Sequence, residues 1–228
     1  MIEPVNYVTM EENDHIQAMA AKCLVKVHQL KLQNVTGYYA ISETILLQFW
    51  NWHDPKKVLF PSQNRRPQEA LWTDSNGEPT CKTAYKLITE KYRDDEDVQQ
   101  MWKEYQQGLS SHAGHMSAAE HIQADVGYAD SMFVYIPSEK IDYFSRLVQI
   151  FDEAKIPEGF AVSKFLDTVE VEWLPPMTNP LTNNGKVDTR KLLAANPTRY
   201  THHTELEERK LFCTTIVTTF RRVLLDIF

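Results

Sequence analysis

Cysteine and glycine are scarce in this chain, basic residues are outnumbered, and no long apolar run is present. Each shortage removes a class of function. The three cysteines of 228 residues, Cys23, Cys81 and Cys213, lie far apart with no Cys-x-x-Cys or Cys/His spacing. That excludes a zinc signature and a disulfide framework, and leaves small buried hydrophobes as the reading. No stretch approaches the ~18 apolar residues of a membrane helix, and the N-terminus shows no basic-then-apolar leader. The expectation is a chain without a membrane segment, cytoplasmic by default. A net charge of -7 argues against nucleic acid as a partner, since phosphate backbones call for a basic face. The seven glycines form no phosphate-cradling loop, and no internal repeat appears. Asn34-Val35-Thr36 matches a glycosylation sequon, which has meaning only in the secretory pathway.

What is present is an ordinary globular composition, 43% hydrophobic and 24% charged, with a high aromatic share of 11%. Residues 11–32 have helical spacing, with Ile16, Met19, Ala20, Cys23, Leu24, Val27 and Leu30 on one face. A turn at 34–37 leads into an apolar strand. Residues 52–80 read as loop, punctuated by Pro55, Pro61, Pro67, Gly77 and Pro79. A helix is expected over 81–106, with its charged middle at 93–97 a kink or a solvated face, ended by a polar break at 108–114. Ser117-Ala118-Ala119-Glu120 has capping-box form and opens a short helix. Met132-Phe133-Val134-Tyr135-Ile136 reads as a strand, and 138–154 as the clearest amphipathic helix, with Ile141, Phe144, Leu147, Val148 and Phe151 facing inward. Residues 155–200 look irregular, and a last capped helix is expected over 204–226. Together these give an α/β fold, a small mixed sheet flanked by helices, in a single domain over 1–228.

The most informative stretch is 37–51. An apolar strand, Tyr38 to Ile41, runs into the polar step Ser42-Glu43-Thr44, resumes as Ile45-Leu46-Leu47 and closes on Phe49-Trp50-Asn51. A strand ending in carboxylates suits a divalent cation held against a diphosphate, because hard cations favour carboxylate oxygens. This step carries one carboxylate, where that chemistry usually wants two.

The stretch Gly37-Tyr38-Tyr39-Ala40-Ile41-Ser42-Glu43-Thr44-Ile45-Leu46-Leu47, with Trp50-Asn51, resembles a motif of eukaryotic glycosyltransferase-like proteins related to the plant STELLO proteins. His115-Met116-Ser117-Ala118-Ala119-Glu120-His121, Gly127-Tyr128-Ala129-Asp130, Tyr135-Ile136-Pro137, Phe151-Asp152-Glu153-Ala154 and His202-His203-Thr204-Glu205-Leu206 follow in the order that resemblance leads one to expect. The resemblance implies a GT-A-like fold, a nucleotide-sugar donor, a glycan or protein acceptor, and Mn²⁺ or Mg²⁺ neutralising the leaving diphosphate. Carried over, the metal pair falls on Glu43 and Thr44, with His202 or His203 as the late ligand. Glu120 or Asp130 would act as base on the acceptor. Trp50 and Asn51 would line the donor side, and Trp52 and His53 are further stacking candidates. Two departures qualify this. Thr44 offers a neutral hydroxyl where a carboxylate is usual. Only about 36 residues precede the step, too few for the nucleotide-binding half of such a domain. A partial GT-A-like domain with reduced or lost transfer is therefore the leading expectation.

Bland readings stand beside these. Glu120 is fully explained as a cap residue, Asp130 as a turn former, and His202 and His203 as exposed residues before a helix. His115 and His121 flank Glu120 without a third ligand to make a metal triad. A non-enzymatic binding domain on the same scaffold is one alternative. Another rests on Asn179-Pro180-Leu181-Thr182-Asn183-Asn184-Gly185-Lys186-Val187-Asp188, which is similar to the C-terminal loop of adenylate-forming enzymes, with Lys186 as the working residue. Ser163-Lys164-Phe165 echoes the same subdomain.

Overall fold

The computed structural model describes residues 19–31, 34–41, 45–46, 54–66, 81–112, 116–130, 133–174 and 198–199. By its contacts the chain divides into two units. One comprises Met1–Ser42 and His53–Leu174, the other Glu43–Trp52 and Pro175–Phe228.

The first unit is α/β, as the alternation of patterns predicts. Helix α1 (Met19–Gln29) turns through Lys31 and Asn34, both left-handed, into β1 (Gly37–Ile41). A central strand follows at Val58–Pro61 (β3), numbered after β2 (Ile45–Leu46) of the second unit. Strand β4 (Arg65–Arg66) pairs antiparallel with β5 (Tyr128–Ala129). Strand β6 (Phe133–Pro137) and β7 (Val171–Leu174) complete a four-stranded sheet of order β1-β6-β3-β7. The β1–β6 and β6–β3 pairs are antiparallel and β3–β7 is parallel, so the sheet is mixed.

Helices α2 (Cys81–Lys86), α3 (Glu96–His112), α4 (Ala118–Gln123), α5 (Ile141–Glu153) and α6 (Glu158–Leu166) supply the rest of the unit. The inner face of α5 is the one its spacing predicts, and Ile141, Phe144, Leu147, Val148 and Phe151 are all buried. Tyr143, Ser145 and Ile150 are buried as well, because α1, α3 and α6 pack around it. Each buried phenylalanine here removes enough apolar surface from water to contribute roughly 1.5–3 kcal/mol.

Four expectations need correction. The helix foreseen over 81–106 is two helices, parted by a π-helical turn at Leu87–Lys91 and the charged stretch 92–95, so that stretch is a break. Helix α3 runs straight through Gly108, which is no helix stop. The buried face of α1 is Ala21, Leu24 and Val25, while Leu30 lies past the helix end and is half exposed. The stretches read as irregular hold α6 and β7, and the loop region holds β3. For α6 and β3 the reason is burial on all sides. All nine residues of α6 and all four of β3 are buried, so neither shows the polar face that periodicity detects.

The second unit, within the described residues, is the antiparallel pair of β2 and β8 (Thr198–Arg199). Among the described residues no helix is long and apolar enough to cross a membrane.

Candidate functional site

Strand β1 ends at Ile41, directly before the polar step in the sequence. Its register on β6 sets Tyr39 opposite Tyr135, with ring centroids 4.6 Å apart. The Tyr135 hydroxyl donates to the Pro55 carbonyl at 2.9 Å, and its ring crosses Gly37 so closely that a Cβ there would lie 2.3 Å from that hydroxyl. This explains why the Gly-Tyr-Tyr motif opens on glycine. Burial, reinforced by the neighbouring Tyr135, pushes the Tyr39 phenol up to about 12, so it stays protonated at neutral pH. Beyond Ile41 the step at 42–44 lies outside the described residues, as do Trp50, Asn51, Trp52, His53, His115, Lys186, His202 and His203.

In the second unit, β2 and β8 pair Ile45 with Arg199 and Leu46 with Thr198. Ile45 follows Glu43 by two residues and Arg199 precedes His202 by three. The pairing thus sets the segment that follows Glu43 beside the segment that precedes His202.

In the first unit, Glu120 and Asp130 are described. Glu120 sits in the first turn of α4 and closes a complete capping box. Its carboxylate accepts from the Ser117 backbone N–H at 3.0 Å and from the Ser117 hydroxyl at 2.7 Å. Its own N–H donates back to Ser117 Oγ at 3.2 Å. These bonds, the hydroxyl's first, hold the Glu120 carboxyl below its usual range, and a carboxylate so lowered is a weaker base. Asp130 directly follows β5, and its N–H donates to the Asn64 carbonyl at 2.8 Å.

Within the first unit, a partly buried polar network links β4 to α4. In β4, Arg65 stands opposite Ala129, and its guanidinium pairs with Asp167 Oδ1. The other oxygen of Asp167 meets His121 Nε2 at 3.3 Å, and His121 Nδ1 lies 2.5 Å from the Tyr105 hydroxyl. With Nε2–H donating to the carboxylate, Nδ1 accepts from the phenol, so both ring nitrogens of His121 are used. Lys164, 2% exposed, donates from Nζ to the His121 carbonyl at 2.7 Å. The Cys81 N–H donates to Asp125 Oδ1 at 3.2 Å.

Burial alone would raise the Asp167 carboxyl, but the His121 hydrogen bond and the Arg65 guanidinium outweigh it and hold it low. Desolvation lowers Lys164, against the pull of the acidic groups around it. Burial and the Asp125 carboxylate push the Cys81 thiol up, which makes it inert rather than nucleophilic. Tyr105 is fully buried. The network therefore fastens β4, α3, α4 and the end of α6 together. Sequence reasoning missed it because Arg65, Tyr105, His121 and Asp167 meet only in the fold. The apolar neighbourhood of Lys164 was the one available hint.

Two clefts lie along α3. The larger, about 560 Å³, is walled by α1, α3 and α5, and the Arg146–Asp97 pair at 2.6 Å and the His28–Asp142 pair at 2.6 Å span its sides. The smaller, about 300 Å³, lies where Gly108 meets Thr168. Neither is lined by Glu120 or Asp130. Among the described residues no group of three or more His, Cys, Asp or Glu side chains is placed to hold a metal ion.

Set beside known proteins, the chain falls into the glycosyltransferase class. The family model described as STELLO glycosyltransferases matches residues 1–133, and the chain belongs to this family. That stretch carries Glu43, Trp50, Asn51, Glu120 and Asp130 and ends at the first residue of β6. Membership implies, in general terms, a nucleotide-sugar donor and an acceptor. No curated protein and no solved structure matches the chain.

Proposed function

We propose that this chain is a GT-A-type glycosyltransferase domain whose metal-dependent transfer of a sugar from a nucleotide-sugar donor is reduced or lost. The observation that carries the reading is the β2–β8 pairing, which sets the chain just after Glu43 against the chain just before His202. Glu43 with His202 or His203 would hold Mn²⁺ or Mg²⁺, and the cation would neutralise the diphosphate of the donor. This donor set is poorer than a carboxylate pair, because Thr44 adds a neutral hydroxyl instead of a second charge. Weak cation affinity follows from that chemistry. Trp50 and Asn51, in the same unit, would contact the donor.

The engagement of Glu120 in its cap favours a second reading, a binding domain that keeps the scaffold without acid–base chemistry. Titration calorimetry with UDP and with GDP separates the two. The first reading expects Mn²⁺-dependent binding that Glu43→Ala abolishes and Glu120→Gln leaves intact. Absence of binding at millimolar nucleotide with Mn²⁺ present would sink it.

A further inference from the structure

The turn between α1 and β1 carries Asn34-Val35-Thr36, and the chain holds no other Asn-x-Ser/Thr sequon without a central proline. Asn34 and Thr36 are both exposed, with Val35 half-buried between them. Asn34 takes a left-handed φ of 57°, a conformation asparagine adopts more readily than other side-chain-bearing residues. The Thr36 carbonyl accepts from the Ser138 N–H at 2.9 Å. That bond ties the sequon backbone to the 3₁₀ turn at Ser138–Lys140 while the Thr36 residue stays exposed. The strand that follows, β1, is one edge of the four-stranded sheet.

We propose that Asn34 accepts an N-linked glycan when the chain passes through the secretory pathway, against the cytoplasmic default of its sequence. The donor class is an oligosaccharide joined to a lipid through a diphosphate. In the transfer, a bond forms between Asn34 Nδ2 and the anomeric carbon of the first sugar. The bond from that carbon to the diphosphate oxygen breaks, the lipid diphosphate leaves with the electron pair, and the proton lost from Nδ2 passes through a carboxylate of the membrane oligosaccharide transferase to solvent. A glycan is bulky and hydrophilic and can be carried only at a surface position. This turn meets that demand at both residues the sequon needs. The position also makes structural sense, because unpaired peptide groups of an edge strand invite pairing with another chain, and natural proteins cover such edges. A glycan three residues ahead of Gly37 stands at the start of that edge.

This inference is independent of the donor reading, since here the sugar is attached to the chain and not transferred by it. The test is expression of the full chain behind a cleavable signal peptide in human cells, followed by digestion with peptide:N-glycosidase F. The expected result is a single glycosidase-sensitive mobility step, with Asn34 converted to aspartate in the peptide mass spectrum. Asn34→Gln and Thr36→Ala should abolish the step and Thr36→Ser should retain it. Recovery of the chain from the secretory route, exported or retained, with Asn34 unmodified would overturn the proposal.

Discussion

Gly108→Ala is the substitution on which intrinsic propensity and packing disagree most sharply. Position 108 lies within α3, where alanine in place of glycine should stabilise the helix by about 1 kcal/mol. In the fold, a Cβ at 108 would lie 2.0 Å from the Thr168 carbonyl oxygen and 2.9 Å from the Thr168 carbonyl carbon and Cβ. Ordinary contact begins near 3.4 Å, so backbone must recede from backbone by roughly 1 Å or more. No flexible side-chain tip is available to absorb the shift. Overpacking of this kind costs about 1–3 kcal/mol. Thr168 also shares a buried hydrogen bond of 2.5 Å with the Tyr143 hydroxyl, and orphaning such a group costs about 1–3 kcal/mol. After the helical gain, a net loss of about 1–5 kcal/mol remains. In a chain of this size that corresponds to a fall of roughly 2–20 °C in Tm. Urea unfolding followed by circular dichroism measures it, with the exposed Gln107→Ala on the same helix as control. A Gly108→Ala protein as stable as the parent, or more so, would refute the close approach of α3 to Thr168.

Other expectations follow from the same geometry. The Asp167 carboxyl is held below its unfolded value, so its contribution to stability is present above about pH 4 and is lost as the pH falls through the lower folded value. Asp167→Asn should therefore destabilise the protein at neutral pH and flatten the acid limb of a stability–pH curve. An unchanged acid limb would count against the Arg65–Asp167–His121 network. Ser117→Ala removes one half of the capping box and should cost about 1 kcal/mol, read as faster amide exchange at the start of α4. Phe165 is fully buried between Tyr143 and Phe144, at 5.3 and 5.0 Å. Phe165→Ala should cost about 3–5 kcal/mol in denaturant titration, and a cost below 1 kcal/mol would deny α6 its place in the core.

How much of this was legible in the sequence depended on whether an element has a wet side. Helix α5 faces core on one side and solvent on the other, and its spacing gave it away. The capping box of α4 was equally plain, because both of its partners lie within one turn. Helix α6 and strand β3 have no wet side, and both sit among prolines, so they read as loop. Gly108 was misread for the opposite reason. Glycine at a helix end and glycine at a close approach look the same in one dimension, and only the Thr168 carbonyl tells them apart. The polar network was invisible because its members come from β4, α3, α4 and the residue after α6, brought together by packing alone.

The division of the chain then bears on how the function should be tested. Glu43, Trp50, Asn51, His202 and His203 belong to one unit, Glu120 and Asp130 to the other. The described candidates of the first unit have structural roles: a cap at Glu120, a strand pairing beside Asp130, a partly buried network around His121. Loss of activity on Glu120→Gln would thus be uninformative alone, because a broken cap and a missing base both lower it. Glu43→Ala is cleaner, since cation-dependent nucleotide binding can be read beside an unfolding curve. Binding lost with stability unchanged would assign Glu43 to the cation. Binding lost together with stability would make the 42–44 step part of the scaffold, and Asp in place of Glu43 then decides. A conservative carboxylate that restores Mn²⁺-dependent binding requires a charge at that position, whatever the shape of the side chain that carries it.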